Sequence, residues 1–273
     1  MKKILPLVFV FIVTGIAVQA QTPQALKKVM ELKMPKTVDD DMPGTRGAGV
    51  VWHPVQKKYY ASFAGNMAYP MAVFDIKGKR LSGDTITAMI DTRGLWYNPV
   101  TKLICGNAYS DLGWFSYKLS NTGIPSDYEV LFEEMNQPTD QSVGTYNPIA
   151  KQVLFLDNSQ VIMYNSDGEK QDSVAIHWGR KKADGPGEDE DIYTQHEDYN
   201  ITSVLYTGIK GQELGFLNIT NKQIELYDIK SGFLSKVLTL PETATTEDLF
   251  NFAFANGTYW LFNIELRKWV GYK

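Results

Sequence analysis

Short runs of β-branched and aromatic residues recur along the chain, each bounded by Asn, Pro, Gly or Asp, the pattern of strands joined by tight turns. One turn recurs in recognisable form: Trp52-His53-Pro54, Tyr97-Asn98-Pro99 and Tyr146-Asn147-Pro148, with looser versions at Tyr206-Thr207-Gly208 and Ala255-Asn256-Gly257. Successive copies are 45, 49, 60 and 49 residues apart, which makes the chain an internal repeat of five units. A strand is predicted directly after each turn, over 59–63, 103–106, 153–156, 213–217 and 259–262. A further strand follows in each unit, at 72–76, 114–117, 161–164, 224–227 and 269–272. Fourth strands are predicted at 85–90, 128–132, 173–177 and 235–240, and the fifth unit runs out at Lys273 before supplying one.

The missing strand has a counterpart at the other end. Residues 26–32 match 234–240 position by position in apolar pattern, so the N-terminal segment reads as the displaced fourth strand of the last unit. A ring of four-stranded sheets closed in this way leaves no unpaired edge at the junction. The predicted architecture is therefore all-β, a five-bladed β-propeller of four-stranded blades closed by an N-terminal strand. A β-sandwich and a six-bladed ring are the alternatives.

The ends of the chain carry a second message. Met1-Lys2-Lys3 is a basic start, residues 4–18 are almost wholly apolar, and Val18-Gln19-Ala20 offers small residues where a signal peptidase reads. Residues 1–20 are read as a signal peptide and 21–273 as a single propeller domain, periplasmic or secreted. No later stretch is apolar enough to form a transmembrane segment. The mature chain is about 253 residues, or about 51 per blade, and the surplus over familiar repeats of about 40–50 residues falls mainly in an insertion over 179–200. Removing Lys2 and Lys3 leaves 25 basic against 31 acidic residues, a net charge of −6, and no basic block, so nucleic acid is not an expected partner. Cys105 is the only cysteine and sits in a strand pattern, which makes it a small buried hydrophobe.

Units of the form Tyr-Asn-Pro, strand, hairpin and a strand ending as Tyr227-Asp228-Ile229-Lys230-Ser231-Gly232 resemble the secreted bacterial β-propellers of the YVTN/WD40-like superfamily. The resemblance spans the mature chain and implies a fold, with no particular chemistry. It also implies that the loops entering each blade, and the hairpins between second and third strands, share one face around the central channel, the face where propellers hold ligands. The Asn-Pro turns then fall on the opposite face, where His53 is a variant of the turn asparagine.

On the loop face an acid precedes each innermost strand: Asp41, Asp91, Asp140, Asp198 and Asp248. Converging carboxylates suit a cation, for which calcium is a candidate cofactor without a clear motif, or acid/base work of the glycosidase kind; loop capping explains them equally. Asn66, Asn107, Asn158, Asn218 and Asn263 end second strands and are read as hairpin residues. Thr45-Arg46-Gly47 and Thr92-Arg93-Gly94 place two guanidinium groups at matching loops, to hold an anionic group or to pair with the loop acids. Tyr109, Trp114 and Trp178 are candidates for an aromatic rim. The insertion, with Tyr193, His196 and the run Glu188-Asp189-Glu190-Asp191, is a candidate solvated loop, lid or calcium loop. No nucleophile elbow, phosphate loop or dinucleotide fingerprint is present. The expected function is a monomeric binding module presenting Arg46, Asp91, Arg93, Tyr109, Trp114, Asp140, Trp178 and Asp248 to a glycan, peptide or partner protein. A hydrolase or lyase acting on a carbohydrate or anionic substrate is the alternative.

Overall fold

The computed structural model describes residues 23–35, 45–65, 67, 69–182 and 197–273. These form twenty strands, β1 to β20, in five sheets arranged as a propeller. Blade 1 holds β3 (Arg46–His53), β4 (Lys58–Ala64) and β5 (Ala72–Phe74). Blade 2 holds β6 (Thr92–Asn98), β7 (Leu103–Ala108), β8 (Trp114–Leu119) and β9 (Pro125–Phe132). Blade 3 is β10 (Thr145–Asn147), β11 (Gln152–Asp157), β12 (Gln160–Tyr164) and β13 (Lys170–Ala175). Blade 4 is β14 (Leu205–Tyr206), β15 (Leu214–Asn218), β16 (Gln223–Tyr227) and β17 (Leu234–Thr239). Blade 5 takes β18 (Phe252–Ala255), β19 (Thr258–Asn263) and β20 (Lys268–Tyr272). The innermost strands pack in a closed ring, β3 against β6 and β18, and β10 against β6 and β14, with β14 against β18.

The repeated turn joins first and second strands as the pattern predicts. Asn98 Oδ1 accepts hydrogen bonds from the backbone N–H groups of Val100 and Thr101, and Asn147 Oδ1 from those of Ile149 and Ala150. His53 does the same work through Nδ1, which accepts from Gln56 N at 3.3 Å. The asparagine or its stand-in thus satisfies the turn's backbone donors, which is why this residue type recurs there.

Ring closure occurs as expected. β2 (Lys28–Lys33) pairs antiparallel with β20, Leu32 opposite Trp269 and Lys28 opposite Tyr272, and completes blade 5. Leu32 and Trp269 are both fully buried, and Lys268 Nζ holds Glu31 Oε1 at 2.6 Å across the same pair of strands. One further device is invisible in the pattern. β1 (Gln24–Ala25) pairs parallel with β17, so the N-terminal segment clasps blade 4 before completing blade 5.

Blade 1 departs from the prediction in one place. Residues 85–90 are not its fourth strand, and the sheet has three strands with a single bridge, Phe74 to Arg80, in the fourth place. The outward backbone of β5 is already occupied, since Val73 O accepts from Leu81 N at 2.7 Å and Val73 N donates to Ser82 Oγ at 3.0 Å. With that edge taken, residues 85–90 fold over blade 2, where Ala88 and Ile90 join the core around Phe115 and Tyr117. The single cysteine, Cys105, lies buried between blades 2 and 3. Burial pushes its thiol pKa up to about 12, so it is inert at neutral pH. Among the described residues no helix is long and apolar enough to cross a membrane. Residues 1–22, and with them the expected signal peptide, lie outside the described residues, as does 183–196 of the insertion.

Candidate functional site

The strands that line the axis enter from the loop face, and their first residues build the mouth of the channel. The axis itself is nearly shut. Gly49, Leu95, Gly144 and Leu205 close on Phe252, Ala253 and Phe254 of β18, leaving about 20 Å³. That is room for a water molecule and for no organic ligand.

The closure has a chemical logic. Phe250 sits just before β18 in the left-handed region, φ 52°, costly for a bulky side chain, and Asn251 follows it at φ 58°. In that conformation Phe250 clusters with Ala48 and Ala64 of blade 1 and Val143 at the entry to blade 3. Its ring lies 5.6 Å from the guanidinium carbon of Arg93 in blade 2, and its N–H donates to Thr202 Oγ1 at the entry to blade 4. Phe250 thereby stoppers the ring by joining groups from all five blades.

Buried amides tie the blades together around this stopper. Asn107 donates to Gln137 Oε1 and Ser142 O and accepts from Gly144 N, joining blade 2 to blade 3. Asn200 donates to Glu247 O and Phe250 O, joining blade 4 to blade 5. Asn251 Oδ1 accepts from Gly47 N at 2.6 Å, joining blade 5 to blade 1. Asn107 is therefore an inter-blade staple, whereas Asn158 (φ 53°), Asn218 and Asn263 do serve their hairpins, the last two accepting from Asn221 N and Leu266 N. Asn66 lies outside the described residues.

The two arginine motifs part company. Arg93 is 4% exposed and pairs through both terminal nitrogens with the Asp91 carboxylate; its Nε donates to Asp140 O, and the ring of Tyr109 covers it at 4.6 Å. Asp91 Oδ1 also accepts from Gly65 N, so this ion pair fastens blades 1, 2 and 3. Arg46 is only half-buried, and its guanidinium makes no hydrogen bond or ion pair with any described residue, although its charge is felt by Glu247. The glycines following these arginines have a steric task. A Cβ on Gly94 would strike the backbone of Gly144, and one on Gly47 would strike Trp269.

The acids do not converge as a set. Asp91 is engaged by Arg93, Asp248 is exposed, Asp140 and Asp198 are half-buried, and Asp41 lies outside the described residues. Among the described residues no three His, Cys, Asp or Glu side chains come together as a metal site. Glu247, which repeat alignment does not single out, has its carboxyl held above the usual range by burial and by the neighbouring Asp248 charge.

The expected aromatic rim is corrected in part. Tyr109 is 42% exposed over Arg93. Trp114 is 2% exposed and packs edge-on against Trp96, between blades 2 and 3, because the short helical turn Ser110–Leu112 delivers it to the start of β8 pointing into the core. Trp178 is half-buried between blades 3 and 4, donating to Ser159 Oγ at 2.8 Å and lying 4.3 Å from Tyr199. In the same cluster, the buried Glu225 accepts from the hydroxyls of Tyr199 and Tyr227 and from Asn218 Nδ2.

A cleft of about 310 Å³ opens on the loop face beside the stopper. Thr139, Gln141, Asp157, Asn158 and Thr202 supply its polar groups, and Leu156, Ile201 and Leu249 its apolar ones.

The sequence matches no protein-family model and no curated protein. Solved structures are similar in fold. The glutaminyl cyclase of Myxococcus xanthus superposes with a TM-score of 0.54 at 9% identity, over 92% of this chain and 98% of that one. A Bacteroides thetaiotaomicron protein of unknown function gives 0.50 at 12% identity, over 86% of this chain and 62% of that one. The propeller domain of Cps50 (Swd1) from Myceliophteria thermophila gives 0.43 at 10% identity, over 83% and 82%.

Proposed function

We propose that the chain is an exported, monomeric binding module that holds a glycan, a peptide or a segment of a partner protein on its loop face. The observation that carries this reading is the pairing of a shut axis with an open cleft beside it. A ligand on such a face meets amide, hydroxyl and carboxylate groups beside apolar side chains, the mixture that orients polar ligands. Arg46 is a half-buried cation on that face whose guanidinium makes no hydrogen bond or ion pair with a described residue, and it suits an anionic group on the ligand. Arg93 and Asp91 belong to the scaffold, and Asp140 contributes its carbonyl to the same knot. The apolar run over residues 4–18 supports export. The solved neighbours support the fold and leave the chemistry to the site.

One observation favours the alternative of a hydrolase or lyase. Glu247 and Asp248 are adjacent acids in unlike surroundings, one raised by burial and one exposed, and such pairs divide into acid and base. A thermal-shift screen against glycans, peptides and small anions tests the binding reading, since a ligand of the folded state raises the melting temperature. Turnover of a hit that Glu247→Gln abolishes would establish the alternative instead.

A further inference from the structure

The face opposite the cleft repeats a surface of its own. Every turn between first and second strands projects there, because each blade's first strand enters from the loop face. In blades 1, 2 and 3 the residue after the turn proline is an exposed branched aliphatic: Val55 at 66%, Val100 at 66% and Ile149 at 81% exposure. Blade 4 supplies Ile209 at 46%. Two residues beyond each of the first three comes a lysine, Lys57, Lys102 and Lys151, and Lys210 directly follows Ile209. All four lysines are exposed, and none of their ammonium groups makes a hydrogen bond or ion pair with a described residue. Lys222, in the same left-handed backbone conformation as the first three but on the loop face, is used differently, since its ammonium donates to Glu242 O. The turns 53–58, 98–103 and 147–152 contain no acid, and Glu213, beside the blade 4 turn, is occupied by the backbone N–H groups of Gly211 and Ile229.

We propose that this face docks on a lipid bilayer presenting anionic headgroups, with the four aliphatic side chains entering the interface and the four ammonium groups meeting the headgroup charge. Four exposed aliphatic tips, each with an exposed lysine within two residues, fit such a surface on both counts. A second copy facing the first would set lysines against lysines, and a soluble polyanion would gain nothing from the aliphatic side chains. Docking here turns the cleft away from the membrane.

The test uses the chain from Gln21 onward, which carries every strand of the ring, and vesicles of phosphatidylcholine with or without about a third phosphatidylglycerol, at low salt. Co-sedimentation with the mixed vesicles and not with phosphatidylcholine alone is expected. Two quadruple variants, one replacing Lys57, Lys102, Lys151 and Lys210 by Gln and one replacing Val55, Val100, Ile149 and Ile209 by Ser, should each weaken partitioning by about tenfold or more. Unchanged melting temperatures establish that both fold. Absence of binding by the wild-type chain, or equal binding to phosphatidylcholine alone, overturns the proposal. So does either variant partitioning like wild type; in the aliphatic-to-Ser case that result would mark a general polyanion surface.

Discussion

The guanidinium carbon of Arg93, in blade 2, stands 5.6 Å from the ring of Phe250, which precedes the first strand of blade 5. These blades are not neighbours in the ring, so the contact crosses the axis. Asp91 pairs with the arginine and Tyr109 covers it, which makes the cation part of the stopper. Arg93→Ala should therefore destabilise the domain by about 2–4 kcal/mol, because it strands a half-buried carboxylate. That corresponds to a melting temperature lower by about 5–15 °C. Arg46→Ala should stay within about 0.5 kcal/mol of wild type. Equal effects of the two substitutions in thermal melts would contradict this division.

Phe250→Ala should cost about 3–5 kcal/mol, since it removes a buried ring while alanine, which keeps its Cβ, leaves the left-handed strain in place. Thermal melts check it, and a melting temperature equal to that of wild type would contradict the stopper.

Removing residues 21–35 deletes β1 and β2 and exposes the edges of β17 and β20. Leu26, Leu32 and Met34 leave the core with them. Loss of cooperative unfolding, or a melting temperature lower by more than about 10 °C, is expected. A truncation that melts like the longer chain would refute the closure.

Two carboxyls should respond to pH with opposite sign. Glu31 is held below its ordinary value by Lys268 and Lys28, so its stabilisation is present above the unfolded-state value and lost as pH falls through the folded one. Glu31→Gln should thus destabilise at pH 7 and be neutral in acid. Glu247 is held above its ordinary value, chiefly by burial, so folding disfavours its ionised form. Glu247→Gln should stabilise at pH 7 and lose that advantage once the pH falls below the unfolded-state value. Denaturant titrations at both pH values check the pair.

Much of the architecture is legible in the sequence because the repeated turn places its asparagine where backbone donors need an acceptor, and because residues 26–32 repeat the apolar pattern of 234–240. β1 is not, because two residues carry no periodicity. Residues 85–90 read as a strand, yet the edge they would join is occupied by Leu81 and Ser82, a competition that pattern does not register. The site is less legible. Arg46 and Arg93 occupy identical motifs, and only the packing separates a half-buried cation from one locked into the stopper. Trp114 sits at a strand end, where sequence alone does not say which way a side chain points. Phe250 and Asn251 carry no signal, since left-handed backbone is not expected of phenylalanine.

We propose that the loop face, and not the axis, holds a ligand. The most direct test is isothermal titration of the first compound that raises the melting temperature, against wild type and the double variant Arg46→Ala with Gln141→Ala. Affinity lower by about tenfold or more, the scale of a lost charged hydrogen bond, is expected, with the melting temperature of the free protein unchanged. Undiminished affinity in the double variant would contradict it, as would a panel of glycans, peptides and anions that yields no ligand.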